Sequence, residues 1–309
     1  MGEAVEVWSG GANTWESDEM GHLNVRFWVA KSLEALNGLA RVLGMPEAFT
    51  AEAGATLVVR EQHMRFLREA RAGMSLIAQG SVVDMGETDA RLLIVLHHLS
   101  GEPAATFQTV VSHVTARDLK PFPWPERVRT AAARITAPIP PYAAARSIDL
   151  SPVRTSASLE RADALGLKRI GLGTLQTPEL DVFGRMRGEI LVGRISDGVS
   201  RLLGQDRPGP TPAPGEAPKR IGGAVLEYRI LHHDWPRAGD HVEIRSAVSE
   251  VTPRLRRIIH WMLDPVSGRP WGSTEAVTIS FDLDARKAVD ISPEAQAEIL
   301  ARAVPGLGL

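Results

Sequence analysis

Within WESDEMGHLNVRFW, the residues Asp18, Gly21, His22 and Asn24 set a carboxylate, an imidazole and an amide around a glycine, just ahead of a long apolar run. An acid followed by a glycine turn and a helix start puts an ionisable group beside free backbone N–H donors. That arrangement suits attack on a carbonyl and stabilisation of the resulting oxyanion. Asp/Gly/His/Asn clusters ahead of helices also serve as plain turns and caps, so the surrounding elements must decide between the two.

From Asn24 to about Leu43, apolar residues leave only a narrow polar stripe of Lys31, Glu34 and Arg41, which predicts a helix wetted along one line and buried elsewhere. Gly44 suits its C′ position and Pro46 a stop. Four β-rich runs follow, Leu57 to Phe66, Met74 to Asp84, Arg91 to Leu99 and Ala104 to Thr115, and read as an antiparallel meander. Pro125 and Glu126 open a short helix over Arg127 to Arg134. The proline-bearing segment Thr136 to Pro152 is the linker candidate.

The opening pattern then recurs. In LDVFGRMRGEILVGRISDGVSRLLG, Asp181 and Gly184 lie 163 residues after Asp18 and Gly21, and Arg194 and Asp197 repeat Lys31 and Glu34 at the same distance. Strands are expected again near Ala224 to Leu231, His241 to Val251, Leu255 to Leu263 and Gly272 to Phe281. Two copies of one α+β unit result, with a first domain over 1–137, a linker over 138–168 and a second domain over 169–309. The proline-rich tract Arg207 to Pro218 reads as an exposed loop.

Composition narrows the rest. Thirty-five basic against 37 acidic residues give a net charge of −2, which draws the chain to neither nucleic acid nor an anionic membrane. No cysteine is present, so disulfides, a thiol nucleophile and thiolate metal sites are excluded. Without a signal-like N-terminus or an apolar run long enough to span a bilayer, a cytoplasmic protein is the expectation. His97-His98 and His232-His233-Asp234 suggest metal ligands, yet adjacent strand residues point to opposite faces, and no metal site is expected. Glu61 and His63 share a strand face, read as exposed more readily than as cavity lining. Trp261 and Trp271 read as core or interface aromatics, and Gly171-Leu-Gly173 is too bare for a dinucleotide fingerprint.

A D-x-x-G-H-x-N loop, one long buried helix and an antiparallel meander resemble the hotdog fold of the 4-hydroxybenzoyl-CoA-type thioesterases, here as a tandem double hotdog. The loop is similar to the DxDxxGHxNNxxY loop of acyl-CoA and acyl-ACP thioesterases, although Ser17-Asp18 lacks the extra upstream acid and Arg26-Phe27 replaces a small residue and a tyrosine. The resemblance implies hydrolysis of an acyl thioester, more readily an acyl-CoA than an acyl-ACP. Asp18 would act as general base or nucleophile, helped by His22, Asn24 and helix N-terminal amides reached through Gly21. No cofactor is implied beyond the coenzyme A of the substrate. In the second copy Arg185 and Arg187 replace His22 and Asn24, so Asp181, Arg185 and Arg187 read as a degenerate site; the arginines alternatively meet carrier phosphates. A hydratase or dehydratase of the same fold and a non-catalytic acyl-thioester binder are the competing readings, and two such chains could pair as a homodimer.

Overall fold

The computed structural model describes residues 2–203, 221–282, 284–285 and 287–309. The tract Arg207 to Pro218 lies outside them. The chain divides into two compact units, one of Met1–Arg146, Gln176–Ile190 and Trp235–Ala238, the other of Ser147–Leu175, Leu191–Asp234 and Gly239–Leu309.

In the first unit, β1 (Val5–Gly11) leads into a 3-10 turn and α1 (Val25–Val42); β2 (Ala55–Phe66), β3 (Ser75–Met85), β4 (Asp89–His98), β5 (Pro103–Thr115) and α2 (Glu126–Arg134) follow. The strands form an antiparallel sheet in the order β1-β3-β4-β5-β2. Helix α1 ends as its sequence requires. Gly44 takes φ +81°, its N–H reaches the Arg41 carbonyl and the Met45 N–H reaches Ala40, closing a Schellman motif. Trp28, Leu36 and Leu39 of α1 are buried with Leu57, Phe107 and Val111 of the sheet.

Two expectations differ from what is found. The polar stripe of α1 is wet only in part, because Lys31 is buried and its Nζ donates to Glu16 at 2.9 Å. The acid that draws it inward precedes the helix, out of sight of any helical periodicity. Glu61 and His63, expected on an exposed face, are half-buried and buried respectively. Gln62 donates to Ser32 Oγ of α1 at 3.1 Å, so its neighbours point to the other face of the sheet. That outer face is covered by the segment at 139–144, where Arg65 donates to the Tyr142 and Ala144 carbonyls and Gln108 to that of Ala143.

The second unit contains α3 (Leu159–Ala164) and β6 (Lys168–Thr174), and continues from α4 (Gly188–Ser196) and α5 (Val199–Leu203) into β7 (Ile221–His232), β8 (His241–Val251), β9 (Arg256–Leu263), β10 (Pro270–Asp282), β11 (Lys287–Val289) and α6 (Pro293–Leu300). Its antiparallel sheet runs β7-β10-β9-β8-β6, with β11 on β10. Trp261 is fully buried with Ile259 and Leu307, its indole N–H donating to the Gly308 carbonyl at 3.0 Å.

The second helix is broken where the first is continuous, at Asp197-Gly198. A Cβ on Gly198 would lie 2.3 Å from the Ile170 carbonyl oxygen, and one on Gly38 of α1 would lie 2.0 Å from that of Val7. In both units the helix passes so close to the first strand that only glycine fits. Those strands, β1 and β6, were not among the expected elements, since VEVWSGG and KRIGLGT are short, glycine-bearing edges with little apolar alternation.

Candidate functional site

The loop between β1 and α1 is built in layers. Asn13 and Glu16 form a reciprocal capping box around the 3-10 turn Thr14–Glu16, and the Glu16 carboxylate also receives Lys31 from α1. The Asn24 N–H donates to the Glu16 carbonyl at 2.9 Å, that of Leu23 to Ala70 at 2.8 Å and that of Asp18 to His22 at 2.8 Å. Gly21 sits at φ +76°, and a Cβ there would meet no heavy atom within 4 Å, so backbone conformation alone selects glycine.

This frame holds Asp18 by one oxygen. Its Oδ1 accepts from the Met20 N–H at 2.9 Å and the His22 N–H at 3.0 Å, whereas Oδ2 has no partner among the described residues. Burial pushes the carboxyl above its ordinary value, against the opposing pull of those two amides and of the charge of His22. A half-buried carboxylate fixed at one oxygen, free at the other and more basic than usual is suited to take a proton from water or to attack a carbonyl carbon.

The neighbouring side chains fall into distinct roles. His22 is buried, with Nε2 3.3 Å from Glu69 Oε2. Glu69 escaped the sequence reading, since it is remote from the loop in the chain and belongs to no motif; it arrives because the Leu23–Ala70 hydrogen bond docks the turn after β2 against the loop. Asn24 caps α1, its Oδ1 accepting from the Arg26 N–H at 2.9 Å while its carbonyl accepts from Phe27 and Trp28. The cap leaves the side-chain Nδ2 of Asn24 and the Val25 N–H as donors without partners among the described residues. The helix terminus therefore offers one free amide, where the sequence suggested several.

The second loop repeats the backbone framework of the first without the side-chain cap that Asn24 supplies. Gln176 and Glu179 form the capping box, Arg187 N–H reaches the Glu179 carbonyl at 3.0 Å, Met186 reaches Pro236 at 2.8 Å, and Asp181 Oδ1 accepts from Phe183 and Arg185 at 2.9 Å each. A second difference lies at the other oxygen. Asp181 Oδ2 receives Arg185 Nε at 3.1 Å and Nη2 at 3.0 Å, so the carboxylate that is free in the first loop is neutralised in the second. Arg187 is held by Glu189 at 3.1 Å.

The other conspicuous groups are engaged elsewhere. His97 Nδ1 faces the Gly101 carbonyl at 3.1 Å and His233 Nε2 the Ser273 hydroxyl at 2.9 Å. Gly171 and Gly173 belong to β6, and Trp271 donates to the His241 carbonyl. Among the described residues no group of three His, Asp or Glu side chains is placed to hold a metal ion, and no helix is long and apolar enough to cross a membrane.

Comparison with known proteins bears on the same stretch. Residues 12–132 match the family profile of the thioesterase-like superfamily. No curated protein matches the sequence. Among solved structures, the 12:0-ACP thioesterase from Umbellularia californica is similar at a TM-score of 0.65 and 11% identity, over 90% of this chain and 94% of that one. An acyl-ACP thioesterase from Bacteroides thetaiotaomicron gives 0.62 at 13% identity, over 88% and 96%. At such identities the likeness shows the fold, and it extends over nearly the whole chain. Residues 12–132 thus resemble the thioesterase-like superfamily, within a chain whose fold is a tandem double hotdog.

Proposed function

We propose that the chain hydrolyses an acyl thioester to a free acid and a thiol, with Asp18 as general base or nucleophile. The observation that carries this is the state of the Asp18 carboxylate: pinned through Oδ1, unpartnered at Oδ2 and raised in pKa by burial, inside the domain that matches the thioesterase-like superfamily. As a base, Oδ2 takes a proton from water as its oxygen attacks the thioester carbon. As a nucleophile, it bonds to that carbon itself, expels the thiolate and leaves an anhydride for water to open. The Val25 N–H and the Asn24 amide are the donors available to the carbonyl oxygen. His22, paired with Glu69, borders Asp18 as a second polar group for water or substrate.

Both acyl-CoA and acyl-ACP suit this chemistry. The two structural neighbours named above are acyl-ACP thioesterases, which supports including that carrier beside the acyl-CoA implied by the loop. The test is thiol release from a panel of both carriers. Release abolished by Asp18→Asn supports the assignment, and release unchanged by it sinks the mechanism. Saturable binding of the thioester without thiol release would instead identify a binding protein.

A further inference from the structure

The second loop walls a cavity of its own. Val182, Phe183 and Arg185 border about 680 Å³ together with Arg117, Leu119 and Arg237, a volume typical of small-molecule sites. Its lining carries three arginines against one acid, Asp118.

Arg185 is the built part of the wall. It is 5% exposed, its guanidinium lies 4.5 Å from the centre of the Phe183 ring, and two of its three nitrogens are committed to Asp181 Oδ2. The third, Nη1, is buried without an acceptor. A guanidinium locked on two edges thus keeps, on the remaining one, a donor with no acceptor in the chain itself. Arg60 of β2 is near enough for the charge of Arg185 to add to burial in opposing its protonation, so two cations crowd this wall. Arg117 makes no hydrogen bond or ion pair among the described residues, and its loop is closed tightly by the Leu119 N–H on the Thr115 carbonyl at 3.0 Å, with Leu119 at φ +54°.

The geometry points to a binding site for a phosphate-bearing organic anion in this cavity, held by Arg185 and Arg117 with Arg237 beside them, where the catalytic loop recurs without its histidine. The lining sums to two positive charges, and the neighbours Asp181 and Arg60 add one of each sign. A lining with more arginines than acids suits a phosphate monoester, which carries close to two negative charges at neutral pH. Arg117, uncommitted among the described residues, presents the paired N–H groups of its guanidinium fork to phosphate oxygens. The anion belongs either to the carrier arm of a thioester or to a separate phosphorylated metabolite. The site is distinct from the hydrolysis assigned to Asp18 and holds whether or not that assignment does.

Calorimetry on the full chain with ADP as probe tests it without any turnover. The expected result is saturable binding at one site per chain, weakened at least about tenfold in Arg117→Ala/Arg237→Ala, weakened by added salt and kept in Asp18→Asn. Both arginines are exposed, so the double variant retains its core, as an unchanged melting curve would verify. ADP displaced by coenzyme A, with both ligands losing affinity in the double variant, assigns the site to the carrier arm. ADP that coenzyme A does not displace assigns it to a separate metabolite. Absence of saturable ADP binding, or binding undiminished in the double variant, overturns the proposal.

Discussion

Asp18 carries opposite consequences for stability and for activity. Its pKa is raised on folding, so its contribution to stability is present below the ordinary aspartate value and is lost as pH rises through the folded value. The side-chain amide of an Asp18→Asn chain would still accept the Met20 and His22 N–H groups yet could not ionise. The melting temperature at pH 7 should therefore rise by about 1–2 °C, with the gain disappearing near pH 3 in parallel thermal melts, while thiol release falls by roughly 10²–10⁴-fold. In the wild type, kcat/KM should climb with pH through a limb lying above the usual aspartate value of about 4; a limb at or below it would contradict the burial of this carboxyl. Glu69→Gln removes the charged partner of His22 without altering size. Turnover is expected to drop about tenfold with KM within about twofold and no loss of melting temperature, an effect in the range of supporting hydrogen-bond partners at other active sites.

How much of this was legible follows from where each residue lies. Asp18, Gly21, His22 and Asn24 could be read because local turn chemistry and capping act over a few residues, and all four meet in one loop. The alternatives offered for Asn24 collapse onto geometry: it is a cap, with its amide nitrogen left over. Glu69 could not be read, because its approach depends on a hydrogen bond between two loops that share no pattern.

At the scale of elements, the buried Lys31–Glu16 pair ties α1 to the loop that carries Asp18. Removing one member of such a pair strands a charge, so Lys31→Ala should cost about 3–5 kcal/mol in urea unfolding, whereas Lys31→Met/Glu16→Gln should recover most of it, since the substituted amide keeps an acceptor for the capping box. A single-variant cost below about 1 kcal/mol would mean that the pair is effectively solvated. Periodicity read the meander strands and α1 well, because half-buried faces impose a repeat on sequence. It failed at β1 and β6, edges selected for close helix contact rather than for apolar alternation, and at Lys31, whose charge is matched by a residue outside the helix. The break at Gly198 was equally hidden, for a glycine in a helical pattern does not announce the carbonyl it makes room for.

At the scale of the whole molecule, the two loops share a backbone and differ in one carboxylate oxygen, free at Asp18 and bound at Asp181. A chain with one working site should retain less than about 1% of its thiol release in Asp18→Asn, given the size of general-base effects, although Asp181 is intact. Residual activity near one half would mean that both loops turn over. The repeat itself was visible as a fixed spacing of 163 residues, and the family resemblance supplied the hotdog architecture. The side chain that closes the second loop was visible too, as Arg185, but its bond to Asp181 depends on a rotamer that no spacing encodes.

The compact unit that holds both loops is assembled from Met1–Arg146, Gln176–Ile190 and Trp235–Ala238, and this has a consequence for synthesis. Its last residue emerges 92 positions after Arg146, the end of its first and largest piece. At translation rates of about 5–20 residues per second, that is a wait of about 5–18 s. During this interval the Asp18 loop and its sheet can form from local contacts, while the arginine-lined cavity cannot, because Arg185 and Arg237 have yet to arrive. A ribosome-bound chain halted once Arg146 has left the exit tunnel should then protect the Asp18-loop amides from exchange while binding no ADP, placing the loop and the arginine-lined cavity at separate moments in the birth of one protein.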